Sequence, residues 1–170
     1  MVMVGKRLAP LLLGIPLLAV ILLGVGFFTP KQYDGEQSQV IDASPDQVWK
    51  VLSDVEHRPQ YRPEIVNLQV LKVNNIGLKK WKEMTDMGAY IVFQGVEAVP
   101  NEKLVLRMED SSFGMTGKWT YMLRPRGDHT LLTIREESKI QKLWLRTQMT
   151  FSGRGGNLKR EFKLVRAALS

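Results

Sequence analysis

From residue 65 to residue 140 the chain is a succession of short runs of alternating apolar and polar residues, separated by turn signals too brief to hold a helix. IVNLQVLKV (65–73) ends at Asn74-Asn75, GLKKWKEMT (77–85) leads into a turn around Asp86 to Gly88, and AYIVFQGVEAV (89–99) stops at Pro100-Asn101. KLVLRMED, GMTGKWTYMLRP and TLLTIREESKI come next, the last two divided by an RGDH turn. Strands joined by so few residues pair antiparallel, because a parallel pair needs a crossover of a dozen residues or more. The pattern predicts one antiparallel sheet and excludes a βαβ array.

Helices are expected only at its two ends. EQSQVIDA (36–43) alternates as a first strand, and SPDQ after it is a capping box with Ser44 as N-cap, Pro45 at the first helical position and Gln47 reaching back. A helix should run from Pro45 to about Ser53 with Val48, Trp49 and Leu52 inward. Asp54 then restarts the chain as a second cap, and the steps Arg58-Pro59 and Arg62-Pro63 restrict the next stretch to a short, broken helix. At the far end Leu143, Leu145 and Met149 begin a helix that SGRGG interrupts; Asn157 can cap a second half in which Leu158, Phe162, Val165 and Leu169 share one face. The expected fold is α+β, a curved sheet of about seven strands gripping a long terminal helix.

Ahead of this domain lies an uncharged run, LAPLLLGIPLLAVILLGVGFFTP (8–30). As a helix it would reach roughly 34 Å, enough to cross a hydrocarbon core of about 30 Å. Lys6 and Arg7 precede it, and Phe27, Phe28 and Tyr33 stand at its far end, so the expectation is a single-pass anchor with a cytoplasmic N-terminus and an extracytoplasmic domain. A cleaved signal peptide is the alternative, but the run exceeds an ordinary h-region and lacks a small-x-small site. Residues 1–30 are thus read as anchor, 31–35 as linker and 36–170 as the domain.

Charge is uneven along the chain. Residues 36–138 carry 13 basic and 15 acidic side chains, residues 139–170 carry 8 and 1. The basic terminal segment reads either as a solvated helix face or as one drawn to anionic lipid heads. No nucleic-acid reading motif accompanies it, so nucleic acid is not an expected partner. Cysteine is absent, which excludes disulfides and cysteine-zinc sites. With only His57 and His129 as imidazoles, no metal or other cofactor is expected.

VIDASPDQVWKVLSD, the RPQYRPEI after it, GKWTYMLRPRGDHTLLTIREES and the terminal helix together resemble the START-like superfamily, also called SRPBCC or polyketide cyclase/dehydrase-like, across residues 36–169. The resemblance implies a helix-grip fold with an apolar cavity between sheet and terminal helix that takes lipids, sterols, polyketides or other hydrophobic molecules. No catalytic signature carries over, since the members that catalyse use differing residues.

Strand alternation nominates the side chains for such a cavity. Trp81 and Glu83 oppose Lys80 and Lys82; Leu106 and Met108 oppose Arg107 and Glu109; Trp119 and Tyr121 oppose Lys118 and Thr120. Tyr90 and Val92 come from a strand apolar on both faces, and Met149 and Phe162 from the helix. Tyr61, in the proline-rich turn, is a candidate at the cavity mouth, or an ordinary packing residue. Glu83 either acts as an acid, a base or a ligand anchor, or is satisfied by a neighbouring arginine or a backbone donor; of Glu136 and Glu137 at most one points inward. The backbone of Arg154, Gly155 and Gly156 offers a possible headgroup site, with a plain helix interruption as the alternative. Three function classes remain: a membrane-tethered binder of a hydrophobic small molecule or lipid, an enzyme of cyclase or dehydratase type, and a scaffold with a filled interior.

Overall fold

The computed structural model describes residues 24–153 and 155–170. Seven strands, β1 (Gln32–Ile41), β2 (Ile65–Val73), β3 (Lys79–Thr85), β4 (Tyr90–Val99), β5 (Lys103–Ser111), β6 (Met115–Arg126) and β7 (His129–Ile140), form one antiparallel sheet in the order β1-β7-β6-β5-β4-β3-β2. β1 starts at Gln32, so the segment expected as a linker is already strand, with Asp34 holding Arg135 of β7 at 2.6 Å. Register shifts between Ile65 and Asn67 and between Val70 and Lys72 in β2, between Gly95 and Glu97 in β4, and between Asp110 and Met108 in β5 mark where these strands bend. Such extra residues increase local twist and curl the sheet.

Two helices join β1 to β2 across the open end of the curl: α1 (Pro45–Ser53) and α2 (Arg58–Tyr61). The capping box closes as expected, Gln47 N donating to Ser44 Oγ at 3.4 Å and Ser44 N to Gln47 Oε1 at 2.9 Å, an arrangement worth about 1 kcal/mol. Val48 and Leu52 are buried, with Trp49 packed beside them. Asp54 then accepts from His57 N at 3.3 Å and turns the chain into α2.

The terminal helix is in two pieces, α3 (Leu143–Ser152) and α4 (Gly156–Leu169). Gly153 breaks them apart at φ 83°, a left-handed conformation that side chains disfavour. The cap of α4 is Gly155 rather than the expected Asn157. Leu158, Phe162 and Val165 of α4 face Ile41, Leu132 and Ile134 of the sheet in the core, while Lys159, Arg160, Lys163 and Arg166 lie on its exposed face.

The uncharged run expected to cross a membrane lies outside the described residues up to residue 23. Among the described residues no helix is long and apolar enough to cross a membrane. The described end of the run, 24–28, is helical and lies on α3: a Cβ on Gly26 would stand 2.5 Å from Leu143 O. Arg146 donates to Thr29 O at 3.1 Å, and the hydroxyls of Thr29 and Thr150 are 2.9 Å apart.

Candidate functional site

Between the sheet and the broken helix lies a cavity of about 510 Å³, within the roughly 300–1,000 Å³ typical of small-molecule sites. Its walls are mainly apolar: Phe93 and Ile91 of β4, Leu106 and Met108 of β5, Trp119 of β6 and Met149 of α3. The mouth opens between the β3–β4 turn and the α3–α4 break, where Met87 is 86% and Trp144 52% exposed. Arg160 and Glu64 pair across this rim at 2.8 Å.

The floor is polar. Arg58 Nε donates to Glu83 Oε1 at 2.8 Å, and Trp81 Nε1 donates to the same oxygen at 2.8 Å. The Arg58 guanidinium also lies over Trp81 and Phe93, 5.6 and 5.7 Å from their centroids, and these two rings stack at 5.4 Å. Beside this pair, Arg62 Nη2 donates to Glu161 Oε2 at 2.6 Å and the Tyr121 hydroxyl donates to that oxygen at 3.1 Å. Burial alone would push the Glu161 carboxyl up, but the Arg62 and Arg58 charges and the two donated bonds together hold it below its ordinary range. Burial, then the Glu161 charge, pushes the Tyr121 phenol well above 10 and keeps it a hydrogen-bond donor. Buried charges here come in pairs, as the cost of desolvation requires.

Among the described residues, one buried carboxyl has no cation. Glu136, opposite Trp119 in the register and fully buried, accepts from Ser138 Oγ at 2.8 Å and Asn157 Nδ2 at 3.3 Å through Oε1, while Oε2 has no hydrogen-bond partner among the described residues. Burial raises its pKa above the ordinary 4.5, against the pull of those two bonds. Glu137 points outward and pairs with Lys118 at 2.6 Å. His57 pairs with Asp54 and His129 with Asp42 at the surface, away from the cavity.

The structure brings Glu83, Leu106, Met108, Trp119, Tyr121, Met149 and Gly156 to the cavity lining and places the other described nominees elsewhere. Tyr90 and Val92 lie on the opposite face of β4, Tyr90 donating to Asp110 at 3.0 Å beneath Lys82, because it is Ile91 and Phe93 that point inward. Trp81 stands behind the wall, bonded to Glu83 and stacked on Phe93. Phe162 belongs to the filled core. Tyr61 packs back on α1, its hydroxyl donating to Val51 O at 3.0 Å, rather than at the mouth. Gly155 lies near Gln37 instead of the cavity, and Arg154 falls outside the described residues. Arg58, Arg62 and Glu161 are site residues that strand alternation does not nominate. The available signal was Glu83 itself, an inward carboxylate that demanded a cation.

Comparison with known proteins agrees with this architecture. A START superfamily protein from Mycobacterium smegmatis superposes with a TM-score of 0.66 at 16% identity, covering 80% of this chain and 96% of its own. The Zhui aromatase/cyclase from Streptomyces sp. R1128 superposes at 0.69 with 13% identity, covering 81% and 93%, and norcoclaurine synthase from Thalictrum flavum at 0.62 with 14%, covering 81% and 94%. These likenesses define a START-like helix-grip fold. Residues 33–168 match the family described as polyketide cyclase/dehydrase and lipid transport, and the chain belongs to that family. No curated protein matches it significantly.

Proposed function

We propose that the protein binds a hydrophobic small molecule or lipid in this cavity, held at a membrane by residues 8–30 with the domain on the extracytoplasmic side. The observation that carries the binding reading is the cavity itself, about 510 Å³ of space walled by Phe93, Leu106, Met108, Trp119 and Met149 above a hydrogen-bonded polar floor. Apolar burial would supply the affinity and the floor the orientation. The tether is supported by the length of the uncharged run and by its described end, which rests on α3 beside the mouth. An apolar ligand partitions into a bilayer, so an anchored pocket meets it at high effective concentration.

Native mass spectrometry of the full chain released from nanodiscs should show a reproducible small-molecule adduct, and Trp119→Ala should lose most of it while remaining folded. Bare protein after incubation with lipid extract would end the binding reading. For the tether, the absence of native cysteine allows a single Asp128→Cys probe in the exposed β6–β7 turn. Labelling of intact cells by an impermeant maleimide supports an extracytoplasmic domain; labelling only after lysis refutes it.

A second reading, an enzyme of cyclase or dehydratase type, is favoured by Glu83, a carboxylate at the cavity floor within reach of a bound molecule. It predicts an activity lost in Glu83→Gln with binding retained. The scaffold with a filled interior has no support beside a cavity of this size.

A further inference from the structure

The charges around the cavity bear on what kind of molecule enters it, an inference that rests on the binding reading above. Among the described residues, three arginines line the cavity against four carboxylates. Arg160, Glu64 and Asp86 are at the rim. Arg58, Arg62, Glu83 and Glu161 form the two ion pairs of the floor. Arg58 spends only Nε on Glu83, and among the described residues its terminal nitrogens make no hydrogen bond, though a guanidinium carries five N–H donors. The floor therefore has donors to offer and no net positive charge to neutralise.

Three kinds of head group would meet this floor differently. An anion adds a charge to a low-dielectric floor where each guanidinium already faces its own carboxylate, and that charge stays uncompensated. A cation meets the Arg58 donors head-on. A neutral acceptor oxygen takes an unused N–H and leaves both ion pairs intact. We propose that the cavity selects an uncharged amphiphile: one molecule with an alcohol, ketone or ester oxygen at the Arg58 guanidinium and an apolar body along Met108 and Trp119 toward the mouth. The gradient fits this orientation, since Arg58 is 5% and Tyr121 3% exposed whereas Met87 and Trp144 at the mouth are open to solvent.

The test is competition among three chains of equal length. The full chain in phosphatidylcholine nanodiscs is incubated at pH 7.5 with an equimolar mixture of dodecanol, dodecanoate and dodecylammonium. Adducts are read by native mass spectrometry and normalised to uptake by protein-free nanodiscs. Dodecanol should exceed each ion by about tenfold or more. Glu83→Gln keeps the side-chain shape but leaves Arg58 without its counter-charge, so the dodecanol-to-dodecanoate ratio should fall about fivefold or more. Glu161→Gln, at the other ion pair, should move it the same way and serves if the first variant does not fold. Dodecanoate or dodecylammonium equal to or above dodecanol in the native protein overturns the head-group assignment alone. An unchanged ratio in folded variants also overturns it. No adduct of any of the three removes the binding reading as well.

Discussion

The sheet covers two unlike interiors. Under β1, β7 and α1 the space is filled: Ile41, Val48, Leu132, Ile134, Leu158, Phe162 and Val165 are each no more than 2% exposed. Under β2 to β6 the same sheet encloses the cavity, and no described residue of β1 or β7 lines it. The filled half is built mostly of branched aliphatic side chains that interlock at interior density. The hollow half uses flat rings and flexible methionines, which leave gaps and can adapt to what enters them. It also carries both floor ion pairs, whose buried charges need each other and cannot give way to apolar collapse. The two halves differ in side-chain chemistry under one continuous set of strands.

Mutations can break that contrast, the largest effect falling in the filled half. Phe162→Ala should cost about 3–5 kcal/mol by urea unfolding, since the ring is 1% exposed and its neighbours cannot close the void; a loss below about 1 kcal/mol would mean that half is not tightly packed. A matched enlargement sharpens the comparison. Ile134→Phe should cost about 1–3 kcal/mol through overpacking, whereas Met108→Phe should cost less than about 1 kcal/mol because the cavity takes the extra atoms. Met108→Phe should also abolish the adduct. Equal costs at the two sites would contradict the division.

The smallest effect concerns Glu136. Its folded pKa is raised, so the folded state is favoured while the carboxyl is protonated, below about pH 4.5, and loses that advantage as pH rises toward the raised value. Glu136→Gln should therefore stabilise the protein at pH 7 and leave its stability unchanged at pH 4. Urea titrations at the two pH values decide it. Glu161 has the opposite sign: its lowered pKa contributes stability above the ordinary carboxylate range that is lost as pH falls through the lowered value.

Most of this architecture could be read from local signals, because the elements announce themselves within a few residues. The capping box at Ser44, the turn at Asn74-Asn75 and the alternation around Trp119 each specify their element without distant help. β4 shows where such reading stops. YIVFQ is apolar on both faces, so alternation could not say that Phe93 rather than Val92 points inward, and one step of register exchanges every side chain. The floor was illegible for another reason. Arg58 and Arg62 sit in a proline-broken stretch with no periodicity, and their partners Glu83 and Glu161 lie 25 and 99 residues away. Only the folded chain shows which charges are neighbours. Alternation allows one of Glu136 and Glu137 to be internal, but it carries no sign that the second oxygen of Glu136 has no partner among the described residues.

The sheet order also sets a clock. β1 lies at one edge and its partner on the sheet is β7, so the first strand to be synthesised is paired with the last. Roughly ninety residues separate Ile41 from His129, and at about 5–20 residues per second a growing chain carries β1 unpaired for about 5–20 s. Bringing such distant segments together costs loop entropy before any contact is made, which slows folding relative to a sheet of hairpins alone. The hairpins from β2 to β7 can assemble in order as they emerge; the seam between β1 and β7 closes late.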